Sequence, residues 1–170
     1  CPTQLFINKH GKRVHMDVYR EANPQGFVAM GKAARTPSLT FSHLEQQLTA
    51  NIKNYDIAAG FIKETRGLCM SPNGVAVKYL NAIPADSLLQ ARNWRILESC
   101  VDDIHSKPFR YLLDHRNRFA ASYGEKKVND KICNTYLSLV HKEMKSVKSG
   151  KEDGYLALRN EMKTFDFPRA

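Results

Sequence analysis

The chain has 170 residues, of which 42% are hydrophobic and 25% are charged, and its formal net charge is +9. This composition is typical of a soluble globular protein, and no apolar run approaches the roughly 18 residues of a membrane span. The chain shows no signal peptide and begins with Cys1-Pro2 where an initiator methionine is expected. We therefore expect that it was processed or cut from a longer protein.

The first residues predict a β-hairpin. Leu5 to Ile7 form a continuous apolar run, which is typical of a strand covered on both faces, and Val14 to Val18 alternate between apolar and polar residues. Asn8 to Lys12 form the turn, with a glycine where a positive φ is expected. His10 and His15 flank this turn and are expected to face solvent.

A helix should follow the hairpin. Asn23 is the predicted N-cap and Pro24 the first helical residue, and Pro37 stops the helix because the residue before a proline disfavours helical geometry. A hairpin with one helix is too small a layer to be stable alone. The helical region, a second copy of the chain or residues upstream of Cys1 are the three ways to complete it.

From Ser38 onward the apolar spacing is helical. Separate helices are predicted from the stripe Phe41, Leu44, Leu48 and Ile52, from Tyr55 to Gly67, from the Ser71-Pro72 cap to a stop before Pro84, and from Tyr155 through Phe165. Successive helix pairs of this length are TPR-like, although no strict repeat of about 34 residues aligns. The predicted class is mainly α with a small α+β part, divided into a hairpin domain at residues 1–36 and an antiparallel helical array at residues 37–170.

The stretch from Asn93 to Gly124 predicts two amphipathic helices joined by a short polar turn. One apolar face comprises Trp94, Leu97, Val101 and Ile104, and the other comprises Phe109, Leu112, Leu113, Phe119, Ala120 and Tyr123. Ser106 is the expected side-chain cap of the second helix, Pro108 lies in its first turn, and Gly124 ends it. The short turn predicts antiparallel neighbours with Trp94 and the two phenylalanines in one core. Asp102, Asp103 and His105 are interpreted as turn residues.

The helix after Gly124 carries a row of lysines as well as an apolar stripe. The lysines are Lys127, Lys131, Lys142, Lys145 and Lys148, and the stripe is Val128, Ile132, Tyr136, Val140 and Met144. A solvated lysine face explains the charge as well as nucleic acid does, since basic charge alone supports only non-specific phosphate contact. No DNA-binding or RNA-binding motif accompanies it, so a nucleic-acid partner is the third-ranked alternative.

Four separate cysteines, Cys1, Cys69, Cys100 and Cys133, do not have the spacing of a zinc site. Cys100 and Cys133 fall near core positions, where a free cysteine behaves as a small hydrophobe, and a disulfide is the alternative. No Gly-x-Ser-x-Gly motif and no Gly-rich phosphate loop is found. The sequence therefore predicts no metal, no cofactor and no catalytic residue.

Two parts of the chain, an N-terminal stretch and a set of three later segments, resemble a known family. Cys1-Pro2-Thr3-Gln4-Leu5-Phe6-Ile7, the following turn and the strand from Val14 to Tyr19 resemble the second half of a thioredoxin fold. Three further segments resemble the helical C-terminal extension of bacterial cell-envelope thioredoxin-family proteins: Asn93-Trp94-Arg95-Ile96-Leu97, Ser106-Lys107-Pro108-Phe109-Arg110-Tyr111-Leu112-Leu113 and Phe119-Ala120-Ala121-Ser122-Tyr123-Gly124. Together the two parts cover most of the chain.

This resemblance implies a substrate-binding loop at Cys1, Pro2 and Thr3. Pro2 matches the family's cis-proline, and the main chain before it pairs with an extended protein substrate. Thiol–disulfide exchange needs a second thiol to resolve the mixed disulfide, and these residues contain no Cys-x-x-Cys. The resemblance implies that the dithiol lies upstream of Cys1. Whether the protein is an enzyme therefore depends on a longer parent protein, of which this chain is expected to be one part. The resemblance also implies the bacterial periplasm or cell envelope.

Three functions follow. The first is the C-terminal part of a thioredoxin-like thiol–disulfide oxidoreductase, with a helical extension that stabilises it or binds a partner. The second is a non-catalytic helical module that binds a protein or peptide, and the third is a basic nucleic-acid-binding protein. A protein thiol, another protein or a second copy of the chain completing the hairpin sheet are the expected partners.

Overall fold

The computed structural model describes residues 3–11, 13–18, 23–36, 38, 40–147 and 153–163. This part of the chain is mainly helical with one small antiparallel sheet, as the sequence predicts. In chain order its elements are β1 (Thr3–Ile7), β2 (Arg13–Val18), α1 (Pro24–Arg35), α2 (Phe41–Ala50), α3 (Tyr55–Gly67), α4 (Asn73–Ala82), a 3₁₀ helix (Ala85–Leu89), α5 (Ala91–Cys100), α6 (Lys107–Asp114), α7 (Arg116–Tyr123), α8 (Glu125–Val147) and α9 (Asp153–Lys163).

The predicted hairpin is confirmed. β1 and β2 pair antiparallel with Phe6 opposite His15, and the turn places Gly11 at a φ of +73°. The expectation that β1 is covered on both faces is wrong for the residues that the structure describes. Leu5 and Ile7 are 61% and 64% exposed, because β1 pairs only with β2 and α1 packs against β2.

Helix α1 has the predicted bounds. The Asn23 side chain accepts a hydrogen bond from the Gly26 N–H at 2.7 Å, and Pro24 occupies the first turn, where its missing donor has no cost. The helix ends at Arg35, before Pro37. Met30 is buried, whereas Phe27 and Val28 are 52% and 53% exposed. Two large apolar side chains of α1 are thus exposed, as are two of β1.

The hairpin is joined to the helical region through β2 and α2. His15 is buried, and its Nδ1 accepts a hydrogen bond from the N–H of Phe41 at 3.2 Å. The Ser42 hydroxyl donates to the Val14 carbonyl at 2.9 Å. The expectation that His15 faces solvent is therefore wrong, whereas the exposure of His10 is confirmed. The side chain of His15 reaches α2 because residues 14 and 15 lie where β2 packs on that helix.

Helices α2 to α4 begin and end close to the predicted residues. Thr40 and Asn54 cap α2 and α3 through their side chains, and α3 ends at Gly67. Helix α4 begins at Asn73, whose N–H donates to the Ser71 hydroxyl at 3.3 Å. Helix α2 packs on α3, α3 on α4, and α4 on both α5 and α6. The antiparallel, TPR-like stacking and the division at residue 36 stay predictions.

The core is centred on α5 and the connection that follows it. Trp94 is 1% exposed, and its ring stacks on Tyr123 at a centroid distance of 5.0 Å and lies 5.4 Å from Phe119. Helix α5 ends at Cys100, so Val101 and Ile104 are not on its face as predicted, although both are buried. Their side chains reach the core from the irregular segment that follows α5. An apolar side chain does not have to lie in a helix to be buried.

The second predicted helix of this region is two helices. His115 has φ −117° and ψ 26°, which separates α6 from α7, and its ring stacks on Tyr111 at 3.9 Å. Ser106 is the N-cap of α6, but its side chain makes no capping bond, and its hydroxyl donates instead to the Asp103 carbonyl at 2.7 Å. Pro108 lies in the first turn and Gly124 has a φ of +92°, as predicted. The 3₁₀ helix had no counterpart in the sequence prediction.

Helix α8 confirms the long predicted helix and packs against α7 and α9. Val128, Ile132 and Tyr136 are buried, and the stripe weakens until Met144 is 52% exposed. The predicted Phe165 at the end of α9 lies outside the described residues, as do the side chains of Lys145 and Lys148. Among the helices that are described, none is long and apolar enough to cross a membrane.

Candidate functional site

The residues that the resemblance assigns to a substrate loop are only partly described. Cys1 and Pro2 lie outside the described residues, so the expected cis-proline and thiol are not placed. Thr3 is the first residue of β1, with its backbone opposite Val18. Cys100 and Cys133 are free thiols, the first buried and the second half-buried.

A cleft with a volume of about 780 Å³ lies beside α8 and α9. This volume lies in the range of small-ligand and peptide sites. Ile104 and Leu158 are buried in its wall. Four carboxylates and two groups that can carry positive charge also line it, namely Asp102, Asp103, Glu143, Glu161, Lys142 and His105.

Hydrogen bonds hold the connection between α5 and α6 at the edge of the cleft. The N–H of Asp102 donates to the Asn73 side-chain oxygen at 3.0 Å, which ties the connection to α4. The N–H of His105 donates to the Asp103 carboxylate at 2.9 Å, and Ser106 bonds the Asp103 carbonyl. The interpretation of these residues as a turn is confirmed, and the structure adds that the turn brings two carboxylates to the cleft.

Glu161 fixes α9 to the rest of the protein. Its Oε1 accepts hydrogen bonds from Arg110 Nη1 at 2.6 Å and from the Tyr136 hydroxyl at 3.1 Å. Burial of Tyr136 and the neighbouring Glu161 carboxylate raise the pKa of the tyrosine above its usual value. Arg110 Nη2 also lies 3.3 Å from His105 Nδ1, so the same arginine reaches the connection.

A smaller cavity of about 320 Å³ adjoins the cleft and shares Asp102 and Ser138 with it. Lys131 lines this cavity, and its ammonium group donates to the Val101 carbonyl at the end of α5. Partial burial lowers the pKa of Lys131 below its usual value. Its position identifies a structural cation that satisfies a helix-terminal carbonyl.

The lysine row of α8 is not a uniform basic face in the part that is described. Lys127 pairs with Glu98 at 3.1 Å, Lys131 is engaged with Val101, and Lys142 lines the acidic cleft. The expectation of a fully solvated lysine face is therefore wrong for Lys131. These pairings also weaken the nucleic-acid alternative, because a phosphate backbone requires accessible cations.

The cleft does not have the geometry of a metal site. Within the described ranges, no group of three His, Cys, Asp or Glu side chains could hold a metal ion. The carboxylates belong to three different segments, the connection, α8 and α9, and are spread around the cleft. The arrangement offers separate points of negative charge next to apolar surface.

Comparison with known proteins identifies no relative: no family model, no curated protein and no solved structure matches this chain. Sequence reasoning missed the cleft because its residues are far apart in the chain. Arg110 and Glu161, which join α6 to α9, are separated by 51 positions. The feature of the sequence that could have indicated the cleft is the pair Asp102 and Asp103, which interrupts an otherwise apolar stretch.

Proposed function

We propose that this chain is the C-terminal part of a thioredoxin-like thiol–disulfide oxidoreductase, with the helical region as an extension that binds a partner. One observation carries the proposal: four large apolar side chains of the hairpin and α1 are more than half exposed. These are Leu5, Ile7, Phe27 and Val28. Their surface is suited to further strands and a helix that these residues do not contain.

The free energy gained by burying these four side chains favours a covering partner. Full burial of a leucine, isoleucine or phenylalanine side chain contributes about 1.5–3 kcal/mol. Since each of the four is about half exposed, covering them adds roughly 1 kcal/mol per side chain. The order strand, strand, helix in this part of the chain is that of the second half of the thioredoxin fold, in which further strands and a helix complete the layer.

In this proposal the dithiol belongs to the covering part. One thiolate attacks a substrate disulfide and the second resolves the mixed disulfide, so electrons pass from the dithiol to the substrate or in reverse. The loop at Cys1 and Pro2 precedes β1 and holds the substrate main chain by strand-like pairing. We place the parent in the bacterial periplasm or cell envelope by the same resemblance.

The test is the intact mass and N-terminal sequence of the protein isolated from the cells that make it, followed by an insulin-reduction assay. We expect a longer chain with a Cys-x-x-Cys before Cys1, and loss of insulin reduction when both of its cysteines are replaced by serine. A natural chain that has no dithiol refutes the oxidoreductase proposal.

A second candidate is a non-catalytic module that binds a protein or peptide, and the cleft beside α8 and α9 favours it. Its volume of about 780 Å³ and its mixture of apolar and charged lining suit a peptide segment. A natural protein without a dithiol that still binds a partner through the cleft distinguishes this candidate from the first.

A further inference from the structure

The cleft between the α5–α6 connection, α8 and α9 combines an apolar wall with an acidic rim. The wall consists of Leu139, which is half-buried, and Ala157, which is exposed, whereas the lining residues Ile104 and Leu158 are buried. The acidic groups come from all three segments, with Asp103 on the connection, Glu143 on α8 and Glu161 on α9. A ligand that fills the cleft therefore meets both apolar side chains and carboxylates.

The charge of the cleft is opposite to that of the protein. The whole chain has a formal net charge of +9. The cleft lining has four carboxylates and one ammonium group, and Arg110 neutralises Glu161, so negative charges outnumber positive ones by two when His105 is neutral. Such a local field attracts a cation even though the rest of the surface repels it.

Three of the four carboxylates remain available to a ligand. Glu161 is bound to Arg110 and Tyr136, whereas Asp102, Asp103 and Glu143 form no ion pair among the described residues. Asp102 and Asp103 are exposed and Glu143 is half-buried. An incoming cation thus gains a charge-assisted hydrogen bond without breaking an existing ion pair.

The spread of the carboxylates decides the type of cation. Because no three acidic or histidine side chains among the described residues could share one metal ion, a single small cation contacts only part of the rim. A peptide with several lysine or arginine side chains reaches separate carboxylates at once. The apolar stems of these side chains can lie on the apolar wall while their charged ends reach the rim.

We propose that this cleft binds an extended basic segment of a partner protein, in which arginine or lysine residues flank a large apolar residue. The inference rests on the proposed partner-binding role of the helical region and is independent of a dithiol. The apolar residue packs on the wall formed by Leu139 and Ala157, and the cations pair with Asp103, Glu143 and Asp102.

The experiment is a fluorescence-anisotropy titration of the full chain with a labelled eight-residue peptide that alternates arginine and leucine. A peptide with glutamate in place of every arginine is the charge control, and spermine is the small-polycation control. Asp103→Asn with Glu143→Gln removes two rim charges at nearly constant shape. Glu64→Gln with Asp114→Asn is the matched control, because it changes the net charge equally at exposed positions outside the cleft.

We expect the arginine peptide to bind, the glutamate peptide not to bind, and the cleft double variant to weaken binding at least tenfold. The matched control should stay within twofold of the unmodified chain. Ala157→Phe should also weaken binding, because residue 157 is exposed and lines the cleft, and this change narrows the cleft without altering charge. The fluorescence of Trp94, the only tryptophan, confirms that each variant is folded.

Three results overturn the proposal: no binding of the arginine peptide, equal weakening by the two double variants, or binding of spermine as tight as that of the peptide. None of these results changes insulin reduction, so they leave the oxidoreductase proposal intact. Conversely, a natural protein without a dithiol leaves the peptide titration unaffected.

Discussion

Replacement of Tyr136 by phenylalanine tests the bond that holds α9 in place. The tyrosine ring is fully buried and its hydroxyl donates to Glu161 Oε1 at 3.1 Å. Phenylalanine preserves the ring and its packing against Phe109, whose centroid is 6.0 Å away. The substitution therefore removes one hydrogen bond to a carboxylate that Arg110 still neutralises.

The expected cost at neutral pH is about 1.5 kcal/mol, the lower end of the contribution of a hydrogen bond to a charged group. The cost should shrink at high pH. Because the pKa of Tyr136 is raised in the folded protein, its stabilising effect is complete below pH 10.0, the value for an unperturbed tyrosine, and is lost as pH rises further. The loss is about 1.4 kcal/mol per pH unit.

The assay is urea unfolding of both proteins at pH 7, 10 and 11, followed by the fluorescence of Trp94. We expect the variant to be less stable by about 1.5 kcal/mol at pH 7 and nearly equal to the unmodified protein at pH 11. Tyr155→Phe is the control, because this hydroxyl forms no hydrogen bond among the described residues. A difference that stays constant from pH 7 to pH 11 refutes the argument.

Three further predictions concern a partly buried cation and two glycines. Burial lowers the pKa of Lys131 in the folded protein, so at alkaline pH the unfolded chain binds more protons than the folded one. The unmodified protein should therefore gain stability relative to Lys131→Met as the pH rises towards 10.5, as measured by urea unfolding. Gly124→Ala should lower the free energy of unfolding by about 1–3 kcal/mol, since φ is +92° there. Gly60→Ala in the middle of α3, where an added Cβ meets no atom within 4 Å, should instead raise it by about 0.5–1 kcal/mol in the same assay.

Local chemistry made much of the fold predictable. The Asn23 cap with Pro24, the end of α3 at Gly67 and the positive φ of Gly124 each depend on a few neighbouring residues. A cap or a glycine satisfies backbone groups within its own turn, so its effect is visible in the sequence. The hairpin was predicted for the same reason, with Gly11 in its turn.

Features that depend on distant contacts were not predictable in this way. The burial of His15 follows from a hydrogen bond to Phe41, 26 positions away. Ser106 has the sequence of a helix cap, but its hydroxyl donates to the Asp103 carbonyl instead. The break between α6 and α7 at His115 accompanies the stacking of that ring on Tyr111. The cleft likewise requires α9 to return to α6 and α8, which no periodic pattern encodes.

The two surfaces that carry the proposals differ in chemistry, and this difference makes them separable. The hairpin and α1 have four large apolar side chains that are more than half exposed, which is typical of residues at an interface. The cleft has two exposed and two half-buried carboxylates, which suits a partner that binds and leaves. Removing charge at Asp103 and Glu143 should therefore change a salt-dependent affinity and leave folding unchanged. Polar substitution at Leu5 and Ile7 should instead weaken assembly with the proposed covering partner at every salt concentration, because apolar burial is not screened.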